Sequence, residues 1–577
     1  MKQTTTSIFL RHALAIMGFL AVNEGAAFGV GSFILPRSQT VNAVRDLVGW
    51  QEEIHIPHGC TNYWSLSLTA EYDRLFNTGR VTDYLFGGSM LSIVGSAYPG
   101  CQPGCGTALL ADYFGLPRDF KSTVLFRPAM AQFMFDFNFY YGMDALCPGL
   151  YARLHMPLVY ANWDLNLCEA VSVCGTATFP AGYMAATDVA RNELPCSFKQ
   201  AMRGSTTFGD MQQPLAYGKI DDRQTVLHVA DLQGVVGYDF LVNKFAHAGF
   251  NLRVSAPTGT VNCQEFLFEP VVGNGHHWEI GGGFTGHYEF DCLPCDSGIV
   301  ALYVDCNVTH LCTATSKRSY DFKHNGPGSR YMLLETLQPA STELLFADGT
   351  PSQFQYAGCL VNGINETTLS SKIRIPVQVD CVLKAAWRWQ GFTVDVGYNL
   401  WFRSAEKLLC RATLPANRFA FKGDAQVYGF TNPAEQPIAL AATQHAARLC
   451  GGQAGGNADF TNANADNPVG AFSATLVPLN NLTASDALLI GEPQESVATS
   501  RSAVVVSDHD LDDCSGLVPR ALSQKGFVHL NYTWKGHDKM APYLGVGGDV
   551  EYAHGSLRNN SALRTWGIWI KGGFSRS

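Results

Sequence analysis

Residues 133–142 read FMFDFNFYYG, and Phe133, Phe135, Phe137, Phe139 and Tyr141 share one phase of a two-residue period while Asp136 and Asn138 share the other. Successive side chains of a strand point to opposite faces, so this stretch is a strand with one aromatic face and one polar face. Either a soluble sandwich or a lipid-facing wall could shelter those rings. Recurrence and strand length decide between them.

The pattern recurs along the chain. Trp64, Leu66, Leu68, Ala70 and Tyr72 alternate with Ser65, Ser67, Thr69 and Glu71, and residues 150–160 put Arg153 and His155 on the polar phase. Residues 230–242 and 248–256 form a pair with Asp231, Asp239 and Arg253 turned away from the apolar side. In 278–291, Trp278, Ile280, Phe284 and Tyr288 oppose Glu279, His287 and Glu289. From Ile373 to Trp389 the odd phase is apolar and ends on Trp387 and Trp389, against Arg374, Asp380, Lys384 and Arg388. Gln390-Gly391 then reads as a two-residue hairpin turn into 392–403, where Asp395, Asn399 and Arg403 are polar. Near the end His529 and Asn531, Asp549 and Glu551 oppose apolar neighbours, and Trp566, Ile568 and Ile570 close the series.

These runs exceed the typical soluble strand of about 5–6 residues and match the roughly 9–11 that a tilted strand needs to cross hydrocarbon. Lipid leaves no water for unpaired backbone groups, so such strands must close into a barrel. The expected fold is therefore all-β, a transmembrane antiparallel barrel of about 14 strands, with 12 to 16 allowed. Runs near 85–95, 122–129 and 419–430 are counted among its strands. Phe135, Phe137, Phe139, Trp278, Phe284, Trp387 and Trp566 are expected to face lipid. Glu71, Asp136, Asn138, Arg153, Arg253, Glu279, Glu289, Arg374, Arg388, Asp395, Arg403, Asp549 and Glu551 are expected to line a wet interior, because unpaired charges in a dry lumen would each cost several kcal/mol.

At the N-terminus, Lys2 and Arg11 precede the apolar run Ala13 to Val22 and the small residues Gly25 and Ala27, the layout of a cleaved export signal over 1–27. Residues 28–59 follow as a periplasmic or plug segment, with a short amphipathic helix expected within Val41 to Glu53. The barrel occupies 60–577, with long insertions at 169–224, 313–371 and 431–524. The last of these carries GGQAGGNADFTNANADN.

The 17 cysteines belong to an exported chain, where disulfides are the default. Cys101 with Cys105 and Cys292 with Cys295 are candidate disulfides, with cross-links between chains or a metal or redox pair as the other readings. Cys306 and Cys381 lie on the apolar phase and are expected to remain small lipid-facing side chains. His529-x-Asn531 lies on the polar phase, away from lipid, which excludes a lipase-type histidine there. No enzyme, cofactor or metal site is expected. The formal charge of −9, with no long Lys/Arg run, excludes nucleic acid.

The export signal, the amphipathic strands and the terminal TWGIWIKGGF together resemble Gram-negative outer-membrane β-barrel proteins. The family's last strand normally ends on an aromatic residue, whereas here Phe574 is followed by Ser575, Arg576 and Ser577. The cysteine content is similar to that of cysteine-rich major outer-membrane porins of intracellular bacteria. The resemblance implies outer-membrane localisation, lipid as a partner, and the barrel-assembly machinery engaging the C-terminal strand. Further partners are a second copy of the chain or disulfide-crosslinked envelope proteins. A porin-like channel for small hydrophilic solutes is the first function expected, with neutralisation of Arg374, Arg388 and Arg403 shifting it toward cations. The alternative is a cysteine-crosslinked surface or adhesive barrel. A third reading is a transporter of hydrophobic substrates with an N-terminal hatch.

Overall fold

In a computed structural model, residues 31–50, 53–56, 61–96, 108–179, 183–185, 187–290, 298–345, 351–423, 503–534 and 540–576 are described. The alternating runs pair edge to edge with their chain neighbours. Twelve strands close a ring: β1 (Tyr63–Leu75), β2 (Ala129–Gly142), β3 (Leu150–Asp164), β4 (Leu232–Val242), β5 (Ala246–Ala256), β6 (Glu279–Phe290), β7 (Ile299–Ser319), β8 (Thr368–Trp389), β9 (Phe392–Arg403), β10 (Ala521–Thr533), β11 (Met540–Tyr552) and β12 (Thr565–Arg576). Each pairs antiparallel with the next, and β12 returns to β1 through partners such as Ala70 and Ile570. Closure leaves no edge in the ring, as lipid requires.

The opening stretch is the core of β2. Phe135 and Phe137 sit opposite Ala70 and Leu68 of β1 and opposite Leu158 and Met156 of β3. Both rings are exposed on the outer wall, as are Trp278 and Trp387, while Phe139, Phe284 and Trp566 are half-exposed there. Leu154, Val236, Phe240, Leu252, Leu383, Val528, Val546 and Ile570 continue the same surface around the ring. An apolar belt of this extent far exceeds the patches found on soluble monomers.

Two strands of the sheet lie outside the ring: Gln224–Val229 pairs with β3, and Lys407–Arg411 pairs with β8. The expected wall strands near 85–95, 122–129 and 419–430 are corrected. Met90–Val94 and Lys121–Leu125 belong to a separate four-stranded sheet, and Phe419–Phe421 to a three-stranded one with Leu333–Leu345 and Pro351–Asn362. They alternate because they too have one buried face, but here that face packs on protein. In the expected loop regions, Phe198–Ala201 forms one helical turn capped by Ser197, and Arg191–Glu193 is a 3-10 turn.

One end of the ring is closed by tight connections. Gln390 and Gly391 take φ of 49° and 89°, the left-handed conformation of a hairpin turn that matches strand twist. Connections at the other end run across 76–128, 165–231, 257–278, 320–367, 404–520 and 553–564. Their described parts build a cap with one large core that includes Leu85, Tyr113, Phe120, Phe198 and Leu334.

Two further expectations change. Cys306 of β7 and Cys381 of β8, directly opposite in register, form a disulfide instead of remaining free thiols. Arg374 is exposed rather than turned inward, and Ile373 and Ile375 are buried instead. The β7 pairing slips between Gln378 and Ile375, around Pro376, so the faces of β8 exchange there. Proline has no N–H to give the ladder, and a bulge is where a strand accommodates it. Cys101, Cys105, Cys292 and Cys295 lie outside the described residues.

Candidate functional site

The lumen is occupied by the chain itself. Phe33, Ile34 and Leu35 pack in the cap core, and Trp50 and Ile54 pack with Tyr63, Tyr140, Tyr151 and Tyr543 at the tight-turn end. Residues 31–50 and 53–56 therefore run through the barrel from cap to turns before β1 begins. Midway lies α1 (Ala43–Leu47), whose first turn is capped by Asn42, with the side chain accepting from the Arg45 N–H. Gly49, at φ +85°, follows the helix, and a Cβ on it would meet His529 Nε2 at 2.9 Å. Only glycine suits both that backbone and that gap.

Almost every charge on the inner wall meets this plug or a neighbouring strand. Arg45 reaches Asp136 through Nε at 2.5 Å and Glu71 through Nη1 at 2.6 Å. Asp46 takes a hydrogen bond from Asn138 Nδ2 at 3.1 Å and an ion pair from Arg153. His155 Nε2 lies 2.6 Å from Asp136 Oδ1. Nearer the cap, Arg37 pairs with Asp380 at 2.7 Å and Glu551 at 3.5 Å, and donates to Asn399. Asp380 also accepts the Ala43 N–H at the start of α1, at 2.8 Å. At the helix end the sign reverses: Lys384 donates to Leu47 O at 3.2 Å and Lys571 to Arg45 O at 2.7 Å. A carboxylate at the helix start and cations at its end match the helix dipole.

The remaining inward residues extend the network. Arg403 donates to Leu35 O at 2.9 Å, Lys525 pairs with Asp549 at 2.8 Å and Glu551 at 3.4 Å, and Asp395 lies 3.5 Å from Lys384. Gln378 donates to Glu279 at 3.1 Å, Arg253 donates to Asn251, and Arg388 pairs with Glu289 toward the turns. The inward set is thus buried against protein rather than arrayed along open water. Arg374 stands apart, outside the wall.

Sequence reasoning did not single out Arg37, Arg45, Asp46 or His55. The signal was available in TVNAVRDLVGW, where an N-cap asparagine precedes adjacent opposite charges inside an apolar run. Between plug and wall remains a cavity of about 80 Å³ near the cap. Leu75, Met130, Met134, Trp163, Trp401 and Leu563 line it together with polar Gln39, Gln132, Asp73, Lys525 and Glu551.

No family model matches the sequence, and no curated protein matches it. Among solved structures, similarity extends to an outer membrane channel from Pseudomonas putida F1, at 8% identity and TM-score 0.29 over 89% of this chain and 94% of the other. The Pseudomonas putida toluene transporter TodX aligns at 6% identity and TM-score 0.29, over 96% of this chain and 99% of that one. A Pseudomonas aeruginosa FadL homologue aligns at 7% identity and TM-score 0.26, over 96% and 99%. Independently of these distant likenesses, a closed antiparallel ring with an apolar belt outside and a charged lumen is the architecture of Gram-negative outer-membrane β-barrel proteins.

Proposed function

We propose that the protein is an outer-membrane channel closed at rest by its own N-terminal segment, and that it admits small, sparingly soluble molecules from the cap side. The observation that carries this reading is the plug itself: Arg37, Arg45 and Asp46 pair with charges of the wall, and the space left beside them is lined by methionine, tryptophan and leucine together with polar side chains. A polar interface suits a movable plug, because water can replace each ion pair as the segment shifts, whereas an apolar interface would lose its whole burial energy. The methionine, tryptophan and leucine side chains give this partly polar cavity an apolar surface on which cargo with little polar surface can rest. Free diffusion of hydrophilic solutes, the first expectation from the sequence, lacks this support.

The test is reconstitution into liposomes and planar bilayers. The intact protein should give no sugar-driven swelling and no steady open conductance, yet should speed entry of an apolar aromatic probe. The Arg37→Ala/Arg45→Ala variant should conduct. Steady conductance and swelling by the intact protein would overturn the reading.

A second reading, a cysteine-crosslinked surface barrel, draws on Cys168, Cys174, Cys196, Cys263, Cys410 and Cys514, all exposed on the cap side. It predicts disulfide-linked multimers on non-reducing gels of native envelopes.

A further inference from the structure

At the tight-turn end, four elements bring metal-ligating side chains together inside the barrel. His55 comes from the plug, Asp239 from β4, His247 from β5 and His287 from β6. Ligand atoms of His55, Asp239 and His247 all lie within 4.8 Å of one another, and all three residues are buried. His287 stands beside this group, its Nδ1 facing Nδ1 of His247.

Several features are unusual for a purely structural cluster. Asp239 is only 4% exposed, and its Oδ1 has no hydrogen-bond partner, while Oδ2 sits 2.7 Å from His55 Nδ1. The chain makes room for that oxygen with Gly249, where a Cβ would come within 2.1 Å of it. His55 holds a left-handed backbone at φ +55°, a conformation that non-glycine residues keep only where the surroundings enforce it. Its ring lies flat on His247, with centroids 4.5 Å apart, and edge-on to Tyr140 and Tyr151. Tyr303 stacks on His287.

We infer that this cluster is a binding site for a divalent transition-metal cation of the zinc class, which joins the plug to the wall. Three imidazoles and one carboxylate are the donors such borderline cations prefer, whereas calcium or magnesium would require more oxygens. Metal–nitrogen bonds of about 2.0–2.1 Å need ligand atoms roughly 3.3 Å apart in a tetrahedron. Ligation requires the atoms of His55, Asp239 and His247, now within 4.8 Å of one another, to close in on the ion, and His247 and His287, whose Nδ1 atoms face each other, to part around it. The cation offsets the one buried carboxylate and gives Oδ1 a partner. Because His55 is the only ligand on the plug, the ion acts as a latch at the turn end, far from the cavity beside the cap. The site stands whether or not the channel reading does.

The probe is Co²⁺, followed by Zn²⁺, added to the full-length folded protein purified without a histidine tag and stripped with chelator. The intact protein should develop the visible absorption of four-coordinate cobalt, saturating at one ion per chain, and Zn²⁺ should abolish it. His55→Ala and His247→Ala should each weaken binding at least tenfold while keeping the heat-modifiable folded band, and the exposed-site control His228→Ala should bind as the parent does. Should one variant fail to fold, the other and His287→Gln carry the comparison. Absence of saturable binding to the intact protein, or unchanged binding in the folded variants, overturns the assignment.

Discussion

At the residue scale, alternation told which face of a strand each side chain takes, and that is what makes single substitutions predictable. Leu252, in the middle of β5, is 74% exposed on the belt. Leu252→Arg should lower barrel stability by about 2–4 kcal/mol in a lipid-refolding titration, the cost of a cation at mid-membrane depth. An inward charge has the opposite logic. Arg45→Ala strands Asp136 and Glu71 without their shared partner in a buried lumen, a loss on the order of 3–5 kcal/mol read by the same titration. The sequence revealed that Asp136 points inward but not what it meets, because its partner lies 91 residues away on a segment with no strand periodicity. Arg374 was misread for a local reason, since Pro376 slips the register and exchanges the faces. Outside the wall, burial pushes the Glu269 carboxyl up to about 7, against backbone hydrogen bonds at Cys263 and Gln264. A raised carboxyl contributes stability that is complete below its ordinary value of 4.5 and is lost as the pH rises through about 7. Protection factors across 257–278, corrected for the intrinsic exchange rate, should therefore fall between those pH values, and Glu269→Gln should flatten that dependence.

At the element scale, the wall strands were legible because each run has one face toward lipid and is long enough to cross it. The cap strands were not separable from them by phase. Met90–Val94 alternates as a wall strand does, and only its five-residue length marks it as something else. Leu333–Leu345 and Pro351–Asn362 fell within an expected insertion because LLETLQPASTELL keeps no two-residue period, with Leu333, Leu334 and Glu335 all buried. The plug helix is five residues long and cannot persist alone, since isolated helices shorter than about 12 residues are marginal in water. It exists because Asp380 holds its first N–H and Lys384 and Lys571 hold its last carbonyls. Its end depends on Gly49. Gly49→Ala imposes a left-handed alanine costing about 1–2 kcal/mol and drives a methyl toward His529. Hydrogen exchange should quicken across 37–50 while the wall strands keep their protection; equal loosening of both would show that plug and wall unfold as one unit.

At the scale of the whole molecule, the question is what keeps the ring closed. Every wall strand is hydrogen-bonded on both sides, and Cys306–Cys381 joins two strands already in register, with Asp305 opposite Val382 and Asn307 opposite Asp380 on either side of it. The disulfide therefore adds no neighbour that the ladder lacks. What it does is shorten the unfolded chain, closing a loop across a sequence separation of 75, which the chain-entropy account values on the order of 4 kcal/mol. Those two effects separate experimentally. Reduction and alkylation should leave the compact, heat-modifiable band of the folded barrel intact on gels run without boiling, because native pairing does not require the bridge. The same treatment should lower the midpoint of denaturant unfolding, because the unfolded state regains its freedom. Cys306→Ala/Cys381→Ala should reproduce both results without reductant, which isolates this bridge from the cysteines of the cap. Loss of the folded band on mild reduction would mean instead that the ring is held by sulfur, and that the lateral hydrogen bonds between β7 and β8 do not suffice to seal it.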